Sequence, residues 1–209
     1  MYTLFGAKSS GTAAVEVALD IIGAPYRLVE AATWLPASEA YAELKRVNPL
    51  GQIPTLVLPD GTVLTESAAI LLHLGLQHPE SRLLPAVPAA QAQVIRGLVY
   101  ITANCYAAIG IIDYPERYCT PSDDDTGKRI RAGTKARLHE LWERFADQFD
   151  DAPWLGGTQL GALDVLAAMV SKWSGSRTHL EKQRPEFFRL LQRIDAHPQV
   201  APVFARHWP

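Results

Sequence analysis

Cysteine is scarce in this 209-residue chain, which has only Cys105 and Cys119. They make neither a Cys-X-X-Cys pair nor part of a metal-ligand cluster, so two free thiols in a reducing compartment are expected rather than a disulfide. An excess of positive charge is also missing: 20 Lys plus Arg against 22 Asp plus Glu leave a formal charge of -2. A protein that neutralises many phosphates needs the opposite balance, and nucleic acid is not an expected partner. No run approaches the roughly 18 apolar residues of a membrane span, and MYTLFGAKSSG lacks the charged and long apolar regions of a secretory signal. The expectation is a soluble, cytoplasmic protein without membrane contact. The histidines (His73, His78, His139, His179, His197 and His207) lack two-on-a-face spacing beside a carboxylate, so surface or helix-end positions and no metal are expected. Internal repeats and low-complexity tracts are lacking too, which argues against a solenoid or a disordered tail.

What is present is apolar material, 48% of residues, enough for a sizeable core in one or two domains. Tyr2 and Leu4 alternate with Thr3 in Met1–Gly6, Ser9-Ser10-Gly11 breaks that pattern, and Ala13 to Ile22 has a helical one that Gly23 ends. After Pro25, Tyr26–Glu30 reads as a second strand. Ala37–Val47 reads as a helix stopped by Asn48-Pro49. Thr55–Leu58 and Thr62–Leu64 flank Pro59-Asp60-Gly61, which is hairpin chemistry, and Ala68–Leu76 reads as a buried helix. The order βαβαββα mixes a parallel crossover with an antiparallel hairpin, as in a small α/β sandwich. Beyond His78 no strand is predicted. Pro79, Pro85 and Pro88 punctuate a linker, placing one domain at 1–79 and an all-helical one at 88–209.

The helical part begins with Ala89 to about Ile112. A second helix starts at Asp123-Asp124-Asp125, where acids suit the positive helix end, and carries the stripe Leu138, Leu141, Trp142, Phe145, Phe149. Gly161–Gly175 is apolar around most of its circumference, as a central core helix would be. Its odd member, Asp164, is read as a structural cap accepting backbone N–H bonds, because an unpaired buried charge costs several kcal/mol.

Three features could carry chemistry. Ile53-Pro54 opens a strand, either as an edge marker or as a cis bond whose loop leaves backbone groups free to pair with a peptide-like ligand. Glu66-Ser67 precedes an apolar helix. It is either an ordinary cap or a site where the helix start and Ser67 hold a carboxylate while Glu66 pairs with an amine, as an α-amino acid end requires. Ser9 and Ser10 sit in the first strand-to-helix turn, as caps or as donors to a ligand anion. No nearby histidine supplies the base a serine nucleophile needs, so a hydrolase is not indicated.

With Ser9-Ser10, NPLGQIPTLVLPDG, LTESAAILLHL and GALD in this order, the chain resembles the glutathione transferase family across nearly its full length. The resemblance implies a thioredoxin-like N-terminal domain with a cis-proline, an all-α C-terminal domain, a homodimer, glutathione as co-substrate and a role in detoxification. It further implies that Ile53 and Pro54 present backbone to the cysteinyl part, that Glu66 and Ser67 hold the γ-glutamyl end, and that Gln52 assists near the glycyl end. With no cysteine before residue 105, and Phe5 where a tyrosine-type member has its hydroxyl, the serine type remains. Register along the first helix favours Ser9, whereas Ser10-Gly11-Thr12 favours Ser10.

In that mechanism the serine donates a hydrogen bond to the glutathione thiolate. A thiol pKa lowered from about 8.5 by roughly two units raises the thiolate at pH 7 from about 3% to about 75%, worth about 2.7 kcal/mol. One bond to a charged group plus the helix dipole suffices in scale. The second substrate, a small apolar electrophile, would lie against Tyr106, Ile109, Tyr114 and Tyr118, with Trp34 flanking glutathione. Two departures stand out. Gly161 replaces the usual Ser or Thr cap before Asp164, and Lys8-Ser9-Ser10-Gly11 lacks a strict class signature. The same residues also suit a glutathione-dependent isomerase, dehalogenase or peroxidase, or a non-catalytic glutathione-binding or partner-binding module.

Overall fold

A computed structural model describes residues 1–121, 123–149 and 153–209. Its N-terminal part is β1 (Tyr2–Gly6), α1 (Thr12–Ile21), β2 (Tyr26–Glu30), α2 (Glu39–Val47), β3 (Thr55–Val57), β4 (Val63–Leu64) and α3 (Ser67–Gln77). The sheet order is β2-β1-β3-β4, with β1 parallel to β2 and antiparallel to β3. This is a thioredoxin-like layer, and the βαβαββα order read from the sequence is the order found.

Both faces of the central strand are covered, because alternate side chains of β1 serve different cores. Leu4 joins the large core with α1 and α3, whereas Phe5 joins Ala31 and Leu44 beneath α2. Helix α1 is buried over its whole body: every residue from Thr12 to Leu19 is inside. Its run of Ala13, Ala14 and Ala18 lets neighbouring elements approach closely.

After a 3₁₀ turn at Pro79–Ser81 come α4 (Pro88–Tyr100), α5 (Ala107–Asp113), α6 (Asp124–Gln148), α7 (Ala162–Val170), α8 (Ser176–Gln183), α9 (Pro185–Asp195) and α10 (Ala201–His207). Pro88, read above as linker punctuation, is the first residue of α4, where its missing N–H costs nothing. The single helix expected over Ala89–Ile112 is α4 and α5 joined by a π-helical turn, Ile101–Tyr106. That continuous run, Pro88–Asp113, is long and apolar enough to cross a bilayer by length and composition, where no such run was expected. Here it packs against α6 and α7.

Helix α7 is the hub. All nine of its residues are buried, and it touches α1, α3, α4 and α9, so one core runs through both parts of the chain. Asp164 is fully buried, accepting N–H bonds from Gly161 at 2.9 Å and Leu155 at 2.8 Å. The cap role is thus fulfilled by a carboxylate that reaches back to its own helix start and out to the preceding loop. Burial pushes its pKa up to about 6, against the two N–H bonds, which favour the anion. The folded state therefore holds this proton to higher pH than the unfolded chain, and Asp164's contribution to stability declines as pH rises from 3.8 to about 6.

Asp164→Ala strands both N–H groups and is expected to cost about 3 kcal/mol in urea denaturation at pH 7, at about 1–3 kcal/mol per unsatisfied buried group. Asp164→Asn, which keeps one acceptor, loses less and flattens the pH slope.

Candidate functional site

The start of α1 meets one loop at Gly11, and the start of α3 is close enough for Glu66 to act on the Tyr106 hydroxyl beside it. The loop is Gln52–Thr55, and the Ile53-Pro54 bond within it is cis. Its course is pinned from behind: the buried Asn48 amide donates to Gln52 O at 3.2 Å and to Thr55 Oγ1 at 3.0 Å, and Thr55 Oγ1 donates to Gln52 O at 2.8 Å. Asn48 therefore does more than stop α2. Pro54 is buried, Ile53 is half-buried against the Phe5 core, and Gln52 is exposed.

At the start of α3, Ser67 is buried and Glu66 is exposed. Glu66 has φ 64°, a left-handed conformation that costs a non-glycine residue of order 1 kcal/mol or more. Ser9 has φ 54°. Of the four such non-glycine residues described, two thus stand at the starts of α1 and α3, where the candidate ligand groups are.

At the start of α1 each serine hydroxyl has its single proton engaged. Ser9 Oγ donates to His207 O at 2.6 Å, and Ser10 Oγ donates to Ala7 O at 2.6 Å while accepting the Thr12 N–H at 3.3 Å. Ser10 is half-buried and Ser9 exposed. Thr12 is fully buried and accepts the Ala7 N–H at 3.3 Å, so the turn is internally braced.

The junction between the two parts of the chain is tight. A Cβ on Gly11 would lie 2.7 Å from the Tyr106 hydroxyl and 2.9 Å from Pro54 Cδ, so only glycine fits there. The Gly11 N–H faces the Tyr106 oxygen, and the Glu66 carboxylate is near enough for its charge to act on the phenol. Burial, with Glu66 adding to it, pushes the Tyr106 pKa up to about 12, so the group is a protonated donor at neutral pH. Tyr106 closes the π-helical turn, a distortion often found at functional positions.

Beyond Tyr106 the wall is aromatic. Its ring lies 5.4 Å from that of Trp173, which lies 6.5 Å from Trp208. Neither tryptophan was a candidate from the sequence: Trp173 was read as part of the apolar Gly161–Gly175 helix, but α7 ends at Val170. Tyr114 and Tyr118 are exposed, Tyr114 with Arg117 over its ring at 3.9 Å, and Trp34 is 59% exposed between β2 and α2. Ile109, expected as a pocket wall, is 4% exposed inside the main core, because α5 turns that face towards its helix neighbours.

Both cysteines are free, and burial pushes the Cys105 thiol up to about 12, leaving it inert at neutral pH. No cluster of three or more potential metal-ligating side chains occurs among the described residues. His207, expected at a surface or helix end, closes α10 but is 4% exposed, paired with the buried Glu16. The signal for that pair was a charge in the middle of an apolar α1.

The family model described as the glutathione S-transferase N-terminal domain matches residues 10–77. The chain is similar to the uncharacterized GST-like protein YncG of Escherichia coli strain K12, 26% identical over 99% of this chain and 98% of that one. It is 30% identical to the probable glutathione S-transferase BZ2 of Zea mays, covering 97% of this chain and 89% of the relative. A solved glutathione transferase homolog from Sulfitobacter, with bound glutathione, superposes with a TM-score of 0.86 at 21% identity over 99% of this chain and 98% of that one. The chain belongs to the glutathione S-transferase family.

Gly11→Ala tests the junction. The added methyl group meets the Tyr106 hydroxyl and Pro54, and a loss of about 1–3 kcal/mol in thermal or urea unfolding is expected from overpacking. Gly61→Ala, in the exposed hairpin, meets no neighbouring atom and isolates the cost of losing glycine's backbone freedom.

Proposed function

We propose that the protein is a glutathione transferase that adds the glutathione thiolate to small apolar electrophiles. The observation that carries this reading is the meeting of the α1 start, the Ile53-Pro54 loop and the Tyr106 hydroxyl around Gly11. Backbone at Ile53 pairs with the cysteinyl part of the tripeptide. Glu66 and Ser67 take the γ-glutamyl amine and carboxylate at the α3 start, and Gln52 lies towards the glycyl end. The glutathione bound to the Sulfitobacter homolog supports this choice of ligand.

The thiolate then lies at the N-terminus of α1, where the backbone N–H groups and the helix dipole favour an anion. A serine hydroxyl can join them only by leaving its carbonyl partner. That exchange gives up a neutral bond of about 1 kcal/mol and gains a bond to a charged group of about 1.5–3 kcal/mol, so it is favourable in scale. Ser10 is the better placed. It stands just before the α1 N-cap and is bonded only within its own turn, to Ala7 and Thr12, whereas Ser9 is tied to His207 through both backbone and side chain. Tyr106, with the Gly11 N–H facing its oxygen, has its own proton free for the sulfur or the developing charge of the electrophile.

Aromatic rings from Tyr106 to Trp208 form the apolar wall that would receive the second substrate. The reading includes a homodimer, in which a second copy covers exposed apolar side chains such as Val87, Ile95 and Val99 along α4.

Calorimetry with glutathione and turnover on a panel of aryl halides, enones and epoxides test the proposal. Binding with glutathione-dependent conjugation is expected. Ser10→Ala and Tyr106→Phe should each lower kcat/KM by about 10-fold, the scale of one charge-assisted hydrogen bond. Binding without any conjugation would instead identify a non-catalytic module. Light scattering should report twice the 23.0 kDa chain mass.

A further inference from the structure

We infer that His207 is a positioning residue that clasps the candidate thiolate-binding turn to the C-terminal helix, an inference that rests on the reading above. The clasp joins His207 to Ser9, 198 positions away, through two bonds and to Glu16, 191 positions away, through a third. The Ser9 N–H donates to His207 Nδ1 at 3.1 Å, Ser9 Oγ donates to His207 O at 2.6 Å, and His207 Nε2 bonds Glu16 Oε1 at 2.7 Å.

These partners permit only one form of the ring. A carboxylate accepts, so Nε2 carries the proton. An N–H donates, so Nδ1 must present its lone pair. Neutral imidazole with its proton on Nε2 meets both demands, and either alternative puts two donors or two acceptors face to face. Glu16 is itself fixed, taking further bonds from Tyr26 Oη at 3.2 Å and Arg206 Nη2 at 3.1 Å, with Asp20 3.8 Å from the same Arg206 nitrogen. Burial pushes Glu16 up, but the bonds from His207 and Arg206 outweigh it and hold the carboxyl below its ordinary value.

The clasp also explains the backbone. Ser9 adopts φ 54° against its intrinsic preference, and His207 grips it on both sides of that angle, at the amide and at the hydroxyl. The next residues are Ser10 and Gly11, at the α1 start where the reading above puts the sulfur. Their placement is therefore set from the far end of the chain.

Two substitutions separate the halves of the clasp. His207→Asn keeps an acceptor at the Nδ1 position for the Ser9 N–H but cannot reach Glu16, whereas His207→Gln reaches Glu16 and abandons the Ser9 N–H; both keep the backbone carbonyl that accepts the Ser9 hydroxyl. Amide hydrogen exchange of Lys8 to Thr12 reads the clasp with or without turnover. Faster exchange is expected in His207→Gln, near-wild-type exchange in His207→Asn, and faster exchange again in Ser9→Ala. In kinetics His207→Gln should lower kcat about 10-fold, with KM for glutathione changed less than about 3-fold because the γ-glutamyl end binds at α3, and His207→Asn should recover most of it. The ultraviolet titration of bound glutathione should move to higher pH in His207→Gln only.

Unchanged exchange in His207→Gln, or equal losses in the Gln and Asn variants at equal melting temperature, would overturn the clasp. Wild-type protein with slow exchange in this turn but no conjugation would leave the clasp standing and sink the transferase reading alone.

Discussion

Burial of α1 is the constraint from which the rest follows. With every residue from Thr12 to Leu19 inside, the helix cannot shift without opening the core it shares with the sheet, α3, α7 and α10. Its first turn is consequently a fixed point. Pro54 approaches it from the sheet, Tyr106 from the helical part and His207 from the end of the chain, each at hydrogen-bonding or van der Waals distance. A site assembled around such a point can be preorganised although its groups come from positions 9 to 207. Preorganisation of the helix start leaves only a short rotation of the Ser10 hydroxyl, away from Ala7 O, to complete the donors to a sulfur anion.

The same constraint gives the two parts of the site different mechanical character. The α3 start and the Gln52–Thr55 loop are braced within the sheet layer, by Asn48 and Thr55 below and by the α3 helix itself. The α1 start is braced from outside the layer. On the proposed reading, recognition of the tripeptide would depend on local structure, whereas alignment of its sulfur would depend on packing across the whole chain.

Much of the fold was legible because its signals are local. Pro59-Asp60-Gly61 names a hairpin, Asn48-Pro49 a helix stop, and Asp164 a cap, since each acts on backbone within a few residues. The break between α4 and α5 was invisible: Ile101–Tyr106 contains no Pro or Gly, and a π-turn shifts the helix face without altering apolar content. Ile109 was assigned to the wrong surroundings for the same reason, as its face depends on that shift. The cis Ile53-Pro54 bond and the place of Glu66-Ser67 at the α3 start were legible because their signals lie on adjacent residues. Glu16 and His207 were missed because their spacing of 191 residues has no periodicity to read, and an isolated charge in an apolar helix announces a partner without naming it.

The central claim is that one glutathione molecule spans from the α3 start to the first turn of α1. A crystal structure with glutathione tests it most directly. The account predicts the γ-glutamyl group on Glu66 and Ser67, the cysteinyl backbone against Ile53, and the sulfur within hydrogen-bonding distance of the Ser10 hydroxyl or the Gly11 N–H, with the Tyr106 hydroxyl beside it. Glutathione bound with its sulfur directed away from the α1 start, or bound elsewhere on the chain, would contradict it.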